Sequence, residues 1–323
     1  MESNSIMVRP YTASDQPIWD GFVRTARNGC FMFERNYMDY HAHRFSDASM
    51  MVFDGGKLCS VLPAHDHQID GEQVLSSHGG LTFGGLVVGA SAGAGDQLRY
   101  IRAVCDTARA AGFSRLTYRT MPHFMHREPS EDDVYALFQA GARPIRIDLA
   151  HTLDLTRRPA LSAKRRNCIA KARKAGVEVR RSTDFESYWG IVESVLDTRH
   201  ARKPTHSLDE IRLLASRFEQ IQLVAAVVPS GAGEEIIAGA VTYQFDRVLH
   251  VQYLANSDRG RAVCALDAVI ASLIEQAAEY SQWFSLGVST EQEGRVLNEG
   301  LSWQKESFGA RPTALTTWSL ALN

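Results

Sequence analysis

The chain has 323 residues, of which 45% are hydrophobic and 22% are charged, and its formal net charge is -2. This length accommodates two compact domains, and the balanced charge excludes a chain that is basic throughout and binds nucleic acid with its whole surface. No apolar run reaches the roughly 18 residues of a membrane-spanning helix, and five scattered cysteines without a C-x-x-C pair argue against disulfides and structural zinc. We therefore expect a soluble, cytoplasmic protein without a bound metal.

The first half of the chain predicts two helices followed by strands and helices in alternation. A capped helix begins at Ser14-Asp15 and ends near Ala26, and a shorter helix covers about residues 36–44. Residues 49–54 and 57–62 flank Gly55-Gly56, which is a hairpin signal. The stretch LSSHGGLTFGGLVV (75–88) predicts a third strand, and it is followed by a helix ending at Gly112, the strand SRLTYRTM, the helix EDDVYALFQAG and the strand RPIRIDLAHTLDL.

The second half repeats this order. It contains the strands QLVAAVV, IIAGAVTYQF and VLHVQYLA, the long helix GRAVCALDAVIASLIEQAAEY, the strand WFSLGVS, a helix over 294–307 and the strand TALTTWSLAL. Gly-Ala-Arg-Pro precedes the last strand of each half, at 141–144 and 309–312. The repeated order predicts a duplicated α/β (α+β) unit, with domains at 1–155 and 156–323, each a mixed and mostly antiparallel sheet flanked by helices.

This element order resembles the GNAT acyltransferase fold, and the tandem arrangement resembles its FemAB-like branch. The residues that carry the likeness are SAKRRNCIAKARKAGVEV (162–179) and GVSTEQEGRVLNEGLSWQKESFGARP (287–312). The resemblance implies direct acyl transfer to an amine or hydroxyl. Some members of the branch use aminoacyl-tRNA as donor, and related bacterial acyltransferases are linked to cell-surface polysaccharides.

The resemblance also implies where the donor binds. GNAT enzymes hold the donor pyrophosphate with a Q/R-x-x-G-x-G/A loop that opens the long helix, where unpaired N–H groups favour anions. The matching residues here are Ser257, Arg259, Gly260, Arg261 and Ala262, although Ser257 replaces the usual glutamine or arginine. Ser257 could equally be a simple helix cap. Asn298 lies where many GNAT members have an asparagine that contacts the donor.

Three residues are candidates for catalysis. Glu291, or alternatively Glu293, follows a strand end and is a possible general base, and a helix N-terminal charge is the alternative interpretation. His78 could also accept a proton, although a lone strand histidine is more often structural. Lys305 could face donor phosphate or the developing oxyanion, or could be a solvated helix lysine.

The remaining predictions concern the acceptor, metals and tRNA. The glycines of LSSHGGLTFGGLVV lack dinucleotide-binding spacing, so we predict that the stretch forms an acceptor wall with Ser77, His78 and Thr82 as polar contacts. The H-x-H pairs at 41/43 and 65/67 have no further ligands near them in sequence, which disfavours a metal. Ten Lys or Arg residues in 157–181 could contact tRNA or form a solvated face.

Together these features predict an acyltransferase that uses acyl-CoA as a co-substrate, with no tightly bound cofactor. Its acceptor would be an amine or hydroxyl of a small molecule, such as a sugar of cell-surface polysaccharide synthesis. One alternative is an aminoacyl-tRNA-dependent transferase that forms peptide bonds, and a second is a non-catalytic binding module. The sequence does not determine the oligomeric state.

Overall fold

The computed structural model describes residues 6–158, 160–200, 203–231 and 233–322. Its contacts divide the chain into two compact units. Unit 1 contains the described residues up to Asp148, together with Gln292–Arg295 and the residues from Ala314 onward, and unit 2 contains Leu149–Glu291 and Val296–Thr313.

Unit 1 contains two sheets and four α-helices among its described residues. Its strands are β1 (Ile6–Pro10), β2 (Ser46–Asp47), β3 (Met50–Asp54), β4 (Lys57–Leu62), β5 (Ala64–Ile69), β6 (Glu72–Ser77), β7 (Val87–Val88), β8 (Arg115–Arg119), the first part of β9 (Arg143–Asp154) and the last part of β17 (Arg311–Ala321). Its helices are α1 (Gln16–Thr25), α2 (Arg35–Met38), α3 (Ala94–Ala110) and α4 (Asp132–Gln139). The strand orders are β1-β3-β4-β7 and β17-β8-β6-β5-β2.

Unit 2 is built on one larger sheet in the order β10-β11-β12-β13-β14-β9. Its further strands are β10 (Glu178–Ser182), β11 (Ile221–Ser230), β12 (Gly233–Gln244), β13 (Val248–Asn256), β14 (Trp283–Val288), β15 (Thr290–Glu291) and β16 (Val296–Leu297). Its helices are α5 (Ala163–Lys174), α6 (Phe185–His200), α7 (Leu208–Arg217), α8 (Asp258–Ala262), α9 (Ala265–Ala277) and α10 (Glu299–Glu306). This mixed, mostly antiparallel α/β architecture in both units confirms the predicted fold class.

The two units share one topological feature that explains the repeated element order. Strands β6 and β8 are parallel and are connected through α3, while β13 and β14 are parallel and are connected through α8 and α9. Parallel neighbours require such a crossover, whereas the pairs β5–β6, β11–β12 and β12–β13 are antiparallel. The long helix packs on the sheet in each case, with Tyr100, Ile101 and Val104 in the core of unit 1 and Val269, Ile270 and Leu273 in that of unit 2.

The division of the chain differs from the predicted boundary near residue 155. Residues 150–154 of β9 pair with β14 and therefore belong to unit 2. Residues 317–321 of β17 pair antiparallel with β8 and therefore belong to unit 1. The last strand of each sequence repeat thus completes the sheet of the other unit. No single boundary in the sequence therefore separates the two units.

Three predicted elements need correction. The stretch 75–88 forms the end of β6, an irregular segment and the two-residue β7 instead of one strand. The long helix of the second half is broken between α8 and α9, because Cys264 has a left-handed backbone with φ of 59°. The last predicted helix begins at Glu299 instead of residue 294, because Gln292, Glu293 and Gly294 have positive φ and form the turn between β15 and β16.

No helix in the described ranges is long and apolar enough to cross a membrane.

Candidate active site

Strands β13 and β14 of the unit 2 sheet separate beyond a short paired stretch and leave an opening between them. The two strands pair in parallel only from Val248↔Trp283 to His250↔Ser285. Beyond that point β13 continues to Asn256, while β14 bulges at Gly287, which has φ of 69°, and pairs on its other side with β9. Backbone N–H and C=O groups along the facing edges are therefore not used by pairing of these two strands, and a ligand could bind to them.

Lys305 of α10 is buried at the end of β14. Its Nζ donates hydrogen bonds to the carbonyl oxygens of Gly287, at 2.9 Å, and Val288, at 2.5 Å. Only 5% of the residue is exposed, and burial lowers the pKa of Lys305 to about 7. The alternative of a solvated helix lysine is therefore wrong. A buried ammonium that loses its proton near neutral pH is a group that active sites use.

A buried chain of hydrogen bonds lies beside the same strand end. His151 of β9 contacts Ser289 Oγ through Nδ1 and Ser302 Oγ through Nε2, both at 3.0 Å. Ser302 donates to Glu306 Oε1 at 3.1 Å. Burial, followed by the charge of Lys305, lowers the pKa of His151. The lowered pKa favours the neutral imidazole of His151, which links a partly exposed carboxylate to the buried Ser289 hydroxyl.

His250 marks the point where the two parallel strands separate. Its Nδ1 lies 3.0 Å from Ser285 Oγ. Burial, and then the charge of Lys305, lowers the pKa of His250 to about 4. Together His151, His250 and Lys305 concentrate titratable groups at one end of β14.

Glu291 and Asn298 lie next to each other. Asn298 Nδ2 donates to Glu291 Oε1 at 2.8 Å, and Asn298 Oδ1 accepts from the backbone N–H of Leu301 at 2.9 Å. Asn298 is therefore the N-cap of α10, and its predicted donor contact stays a prediction. Glu291 is exposed and held by this amide, which leaves its carboxylate accessible to an acceptor.

The predicted donor loop forms the tight turn from β13 into α8. Ser257 Oγ accepts from the Gly260 N–H at 3.1 Å and donates to the carbonyl oxygen of Ile237 at 2.8 Å. A Cβ on Gly260 would overlap the Ile237 carbonyl and the Asn256 side chain, so glycine is required there for close packing. The capping interpretation of Ser257 is confirmed by these contacts.

The two arginines of the loop already have acidic partners. Arg259 pairs with Glu235, and Arg261 pairs with Asp258 and donates to the carbonyl oxygen of Asn256 at 2.7 Å. These ion pairs are exposed and therefore weak, so an anionic ligand could displace them. Ala262, the last residue of α8, is exposed.

A cleft of about 440 Å³ lies between this loop and α6. Arg261 and Ser257 line it on one side. On the other side α6 presents the small residues Ser187, Gly190 and Ser194, whose spacing places them on one helix face. The cleft exists because these residues carry little side-chain volume.

The predicted acceptor residues lie in unit 1, in the glycine-rich segment after β6. His78 is 4% exposed and stacks on His41, with ring centroids 5.0 Å apart. Burial, followed by the charges of His41 and His65, lowers the pKa of His78 to about 2. Ser77 is also buried, and its Oγ accepts from the Arg119 N–H at 2.7 Å, while Thr82 is partly buried. The structure thus gives Ser77 and His78 packing contacts, and their acceptor and catalytic roles stay predictions.

The glycines of this segment let the backbone pass directly over aromatic rings. A Cβ on Gly80 would overlap the His41 imidazole, and one on Gly85, which has φ of 93°, would press on the Tyr118 ring. The Gly79 N–H donates to His65 Nδ1 at 3.1 Å. Close packing therefore explains these glycines, on the His65 and His41 imidazoles for Gly79 and Gly80 and on the Tyr118 ring for Gly85.

Sequence reasoning missed the polar chain at His151. Its members, Ser289, Ser302 and Glu306, are 138 to 155 residues away from His151 and form no motif. Strand β5 was missed as well, although Asp70-Gly71 between β5 and β6 is a hairpin signal.

Comparison of the whole chain with solved structures gives clear similarities of fold. The structure of FemX aligns with a TM-score of 0.72 at 10% identity over 98% of both chains. The C-terminal domain of a protein assigned as lysylphosphatidylglycerol synthetase, from Agrobacterium fabrum, aligns with a TM-score of 0.59 at 14% identity over 96% of this chain and 92% of that one. A tandem GNAT protein from the clavulanic acid biosynthesis pathway aligns with a TM-score of 0.54 at 12% identity over 99% of both chains.

No protein-family model matches the sequence, and no curated protein sequence matches it significantly. The similarities therefore rest on the fold, which is that of the tandem-domain GNAT proteins. The fold has the FemAB-like tandem arrangement, as its similarity to the structure of FemX over nearly the full length of both chains shows.

Proposed function

We propose that the chain is an acyltransferase whose reaction takes place at the opening between β13 and β14 in unit 2. The observation that carries this proposal is the separation of two parallel strands beside a buried Lys305 with a pKa of about 7. The opening exposes strand-edge N–H groups that can bind a donor amide or a developing oxyanion, and burial strengthens such interactions.

The reaction that fits this site is direct transfer. The nitrogen or oxygen of the acceptor attacks the acyl carbonyl carbon and forms a tetrahedral oxyanion, which collapses as the bond to the donor's leaving group breaks. Glu291 takes the proton of the attacking group, and the leaving group takes up a proton from water. Lys305 holds the β14 carbonyls in place and supplies positive charge near the oxyanion.

Acyl-CoA is the donor that the cleft between α6 and α8 favours. The cleft adjoins the turn that follows β13, so a ligand bound in it could reach the strand opening along β13. Arg261 and Ser257 provide polar contacts for a pyrophosphate, and the small residues of α6 leave room for it.

Aminoacyl-tRNA is a second candidate donor, because of α5. Lys171, Arg173 and Lys174 of this helix are exposed and form no ion pair within the described part of the chain. Three such cations on one short helix suit a phosphate backbone. The predicted small-molecule acceptor, with its amine or hydroxyl, is retained for both donors.

Binding measurements with the full chain test the donor. We expect saturable binding of acetyl-CoA, and Gly190→Leu should weaken it at least tenfold by filling the cleft, since a Cβ at Gly190 meets no atom within 4 Å. Glu193→Leu, on an exposed position of α6 outside the cleft, is the matched control. Salt-sensitive binding of charged tRNA without acetyl-CoA binding would instead identify the second donor. Binding of neither would overturn the proposal and leave a non-catalytic module.

A further inference from the structure

Two cysteines and an aspartate meet at the junction of α8 and α9 in unit 2. The Sγ atoms of Cys168 and Cys264 and a carboxylate oxygen of Asp267 all lie within 4.8 Å of one another. Cys168 is on α5, Cys264 separates α8 from α9, and Asp267 is in the first turn of α9. All three are partly exposed, so a small ion in solution can reach them.

We propose that Cys168, Cys264 and Asp267 form a binding site for a thiophilic divalent cation, with Zn²⁺ as the ion that suits it. In tetrahedral zinc sites the metal lies about 2.3 Å from sulfur and about 2.0 Å from oxygen, which separates the ligand atoms by about 3.3 to 3.8 Å. The three atoms lie within 4.8 Å of one another, so side-chain movements of about 1 Å would bring them into that range. A water molecule would take the fourth position.

The chemistry of the ligands selects this class of ion. Two thiolates favour soft and borderline metals such as Zn²⁺, whereas Mg²⁺ and Ca²⁺ prefer oxygen ligands only. Binding would release the two thiol protons to solvent, since the thiolate is the metal ligand. No oxidant or reductant is needed.

Arg165 contacts the proposed site through the Asp267 carboxylate. Its Nη1 lies 2.5 Å from Asp267 Oδ1, and its Nε donates to Ser307 Oγ at 2.6 Å. This contact orients the carboxylate and leaves its other oxygen for the metal. Two thiolates and one carboxylate carry a charge of about -3, which Zn²⁺ and the Arg165 guanidinium together neutralise.

The site would join α5 to the segment that follows the predicted donor loop. Cys264 is two residues beyond Ala262, the end of α8, and its left-handed backbone costs about 1 kcal/mol or more in a non-glycine residue. A bound ion would fix this strained residue against α5. The predicted role is therefore structural support for α8 and α9.

Metal titration of the reduced, chelator-treated full chain tests this inference. We expect one equivalent of Zn²⁺ to bind and to raise the thermal midpoint, and Co²⁺ to give a thiolate charge-transfer band. Cys168→Ser and Asp267→Asn should each weaken Zn²⁺ binding at least tenfold and reduce the Co²⁺ band or shift its position. Cys59→Ser, which changes a partly exposed cysteine of unit 1, should bind as the unmodified chain does.

Three results would overturn the inference. The first is that the chain shows no saturable Zn²⁺ binding, and the second is that Cys168→Ser binds Zn²⁺ as tightly as the unmodified chain. The third is that Cys168 and Cys264 form a disulfide and bind no metal. None of these readouts depends on acyl transfer, so failure of the metal site and failure of the proposed function are separate outcomes.

Discussion

The Lys305 ammonium donates a hydrogen bond to the carbonyl oxygen of Gly287 at 2.9 Å, and Gly287 lies in the irregular part of β14 between Ser285, where pairing with β13 ends, and Val288. The helix α10 thereby stabilises the irregular end of β14 through one buried cation. Loss of the Lys305 proton would weaken this hydrogen bond, so the shape of the strand opening depends on whether Lys305 is protonated.

The first prediction concerns this lysine. Lys305→Met should lower the rate of acyl transfer by about 100-fold or more, because it removes both the positive charge near the oxyanion and the hydrogen bonds that hold the β14 carbonyls in place. The unmodified chain should lose activity as the pH rises through about 7, because Lys305 then loses its proton. Lys305→Arg keeps the charge, so its pH profile should lack this decline. Steady-state rates between about pH 6 and about pH 9 make the comparison, and identical profiles for the two chains would exclude Lys305 as the titrating group.

The second prediction separates the two arginines of the donor loop. Arg261 lines the cleft, whereas Arg259 extends to Glu235. Arg261→Ala should weaken acetyl-CoA binding about tenfold, the value of one charge-assisted hydrogen bond, and Arg259→Ala should change it less than about twofold. Isothermal titration calorimetry measures both. Equal effects would show that the cleft is not where the donor binds.

The third prediction concerns the glycines of unit 1. Gly80→Ala should destabilise the protein by about 1–3 kcal/mol, because the added methyl group overlaps the His41 ring. Gly21→Ala in α1, where a Cβ meets no atom within 4 Å, should stabilise it by about 0.5–1 kcal/mol. Urea unfolding followed by circular dichroism gives both free energies. A neutral Gly80→Ala would contradict close packing as the reason for this glycine.

The fourth prediction is a loss of stability in acid. Burial, and then the charge of His67, lowers the pKa of His65 to about 4, from an ordinary value of 6.5. Between these values the unfolded chain binds more protons than the folded one, so the free energy of unfolding falls as the pH falls from 6.5 towards 4. Each such histidine changes the free energy of unfolding by at most about 1.4 kcal/mol per pH unit.

The contribution of His65 can be isolated with His65→Asn, whose Oδ1 can still accept from the Gly79 N–H. Urea unfolding at several pH values should give a shallower decline for this variant than for the unmodified chain. Parallel curves would mean that His65 does not titrate differently in the folded and unfolded states.

Local sequence signals predicted the repeated architecture well. Gly55-Gly56 forms the predicted hairpin turn between β3 and β4, with φ of 58° and 78°. The helix predicted to end at Gly112 ends at Ala110, and Gly112 has φ of 92°. The hairpin turn and the helix end each depend on a few neighbouring residues, so they can be predicted from a short stretch of sequence.

Features made by distant residues were not predictable in the same way. The position of His151 beside Ser289 and Ser302 depends on strand pairing and on the packing of α10, and the contact of Cys168 with Cys264 depends on how α5 packs on α9. The same limit applies to Lys305, whose burial follows from tertiary contacts with Gly287 and Val288.

The most direct test of acyl transfer at the β13–β14 opening is photocrosslinking with a photoreactive acyl group carried by CoA, and separately by tRNA, followed by peptide mapping. The proposal predicts labelling of peptides that contain residues 250–256 and 286–291 by at least one donor, and competition by the unmodified form of that donor. Competed labelling confined to unit 1, or no competed labelling with either donor, would contradict it.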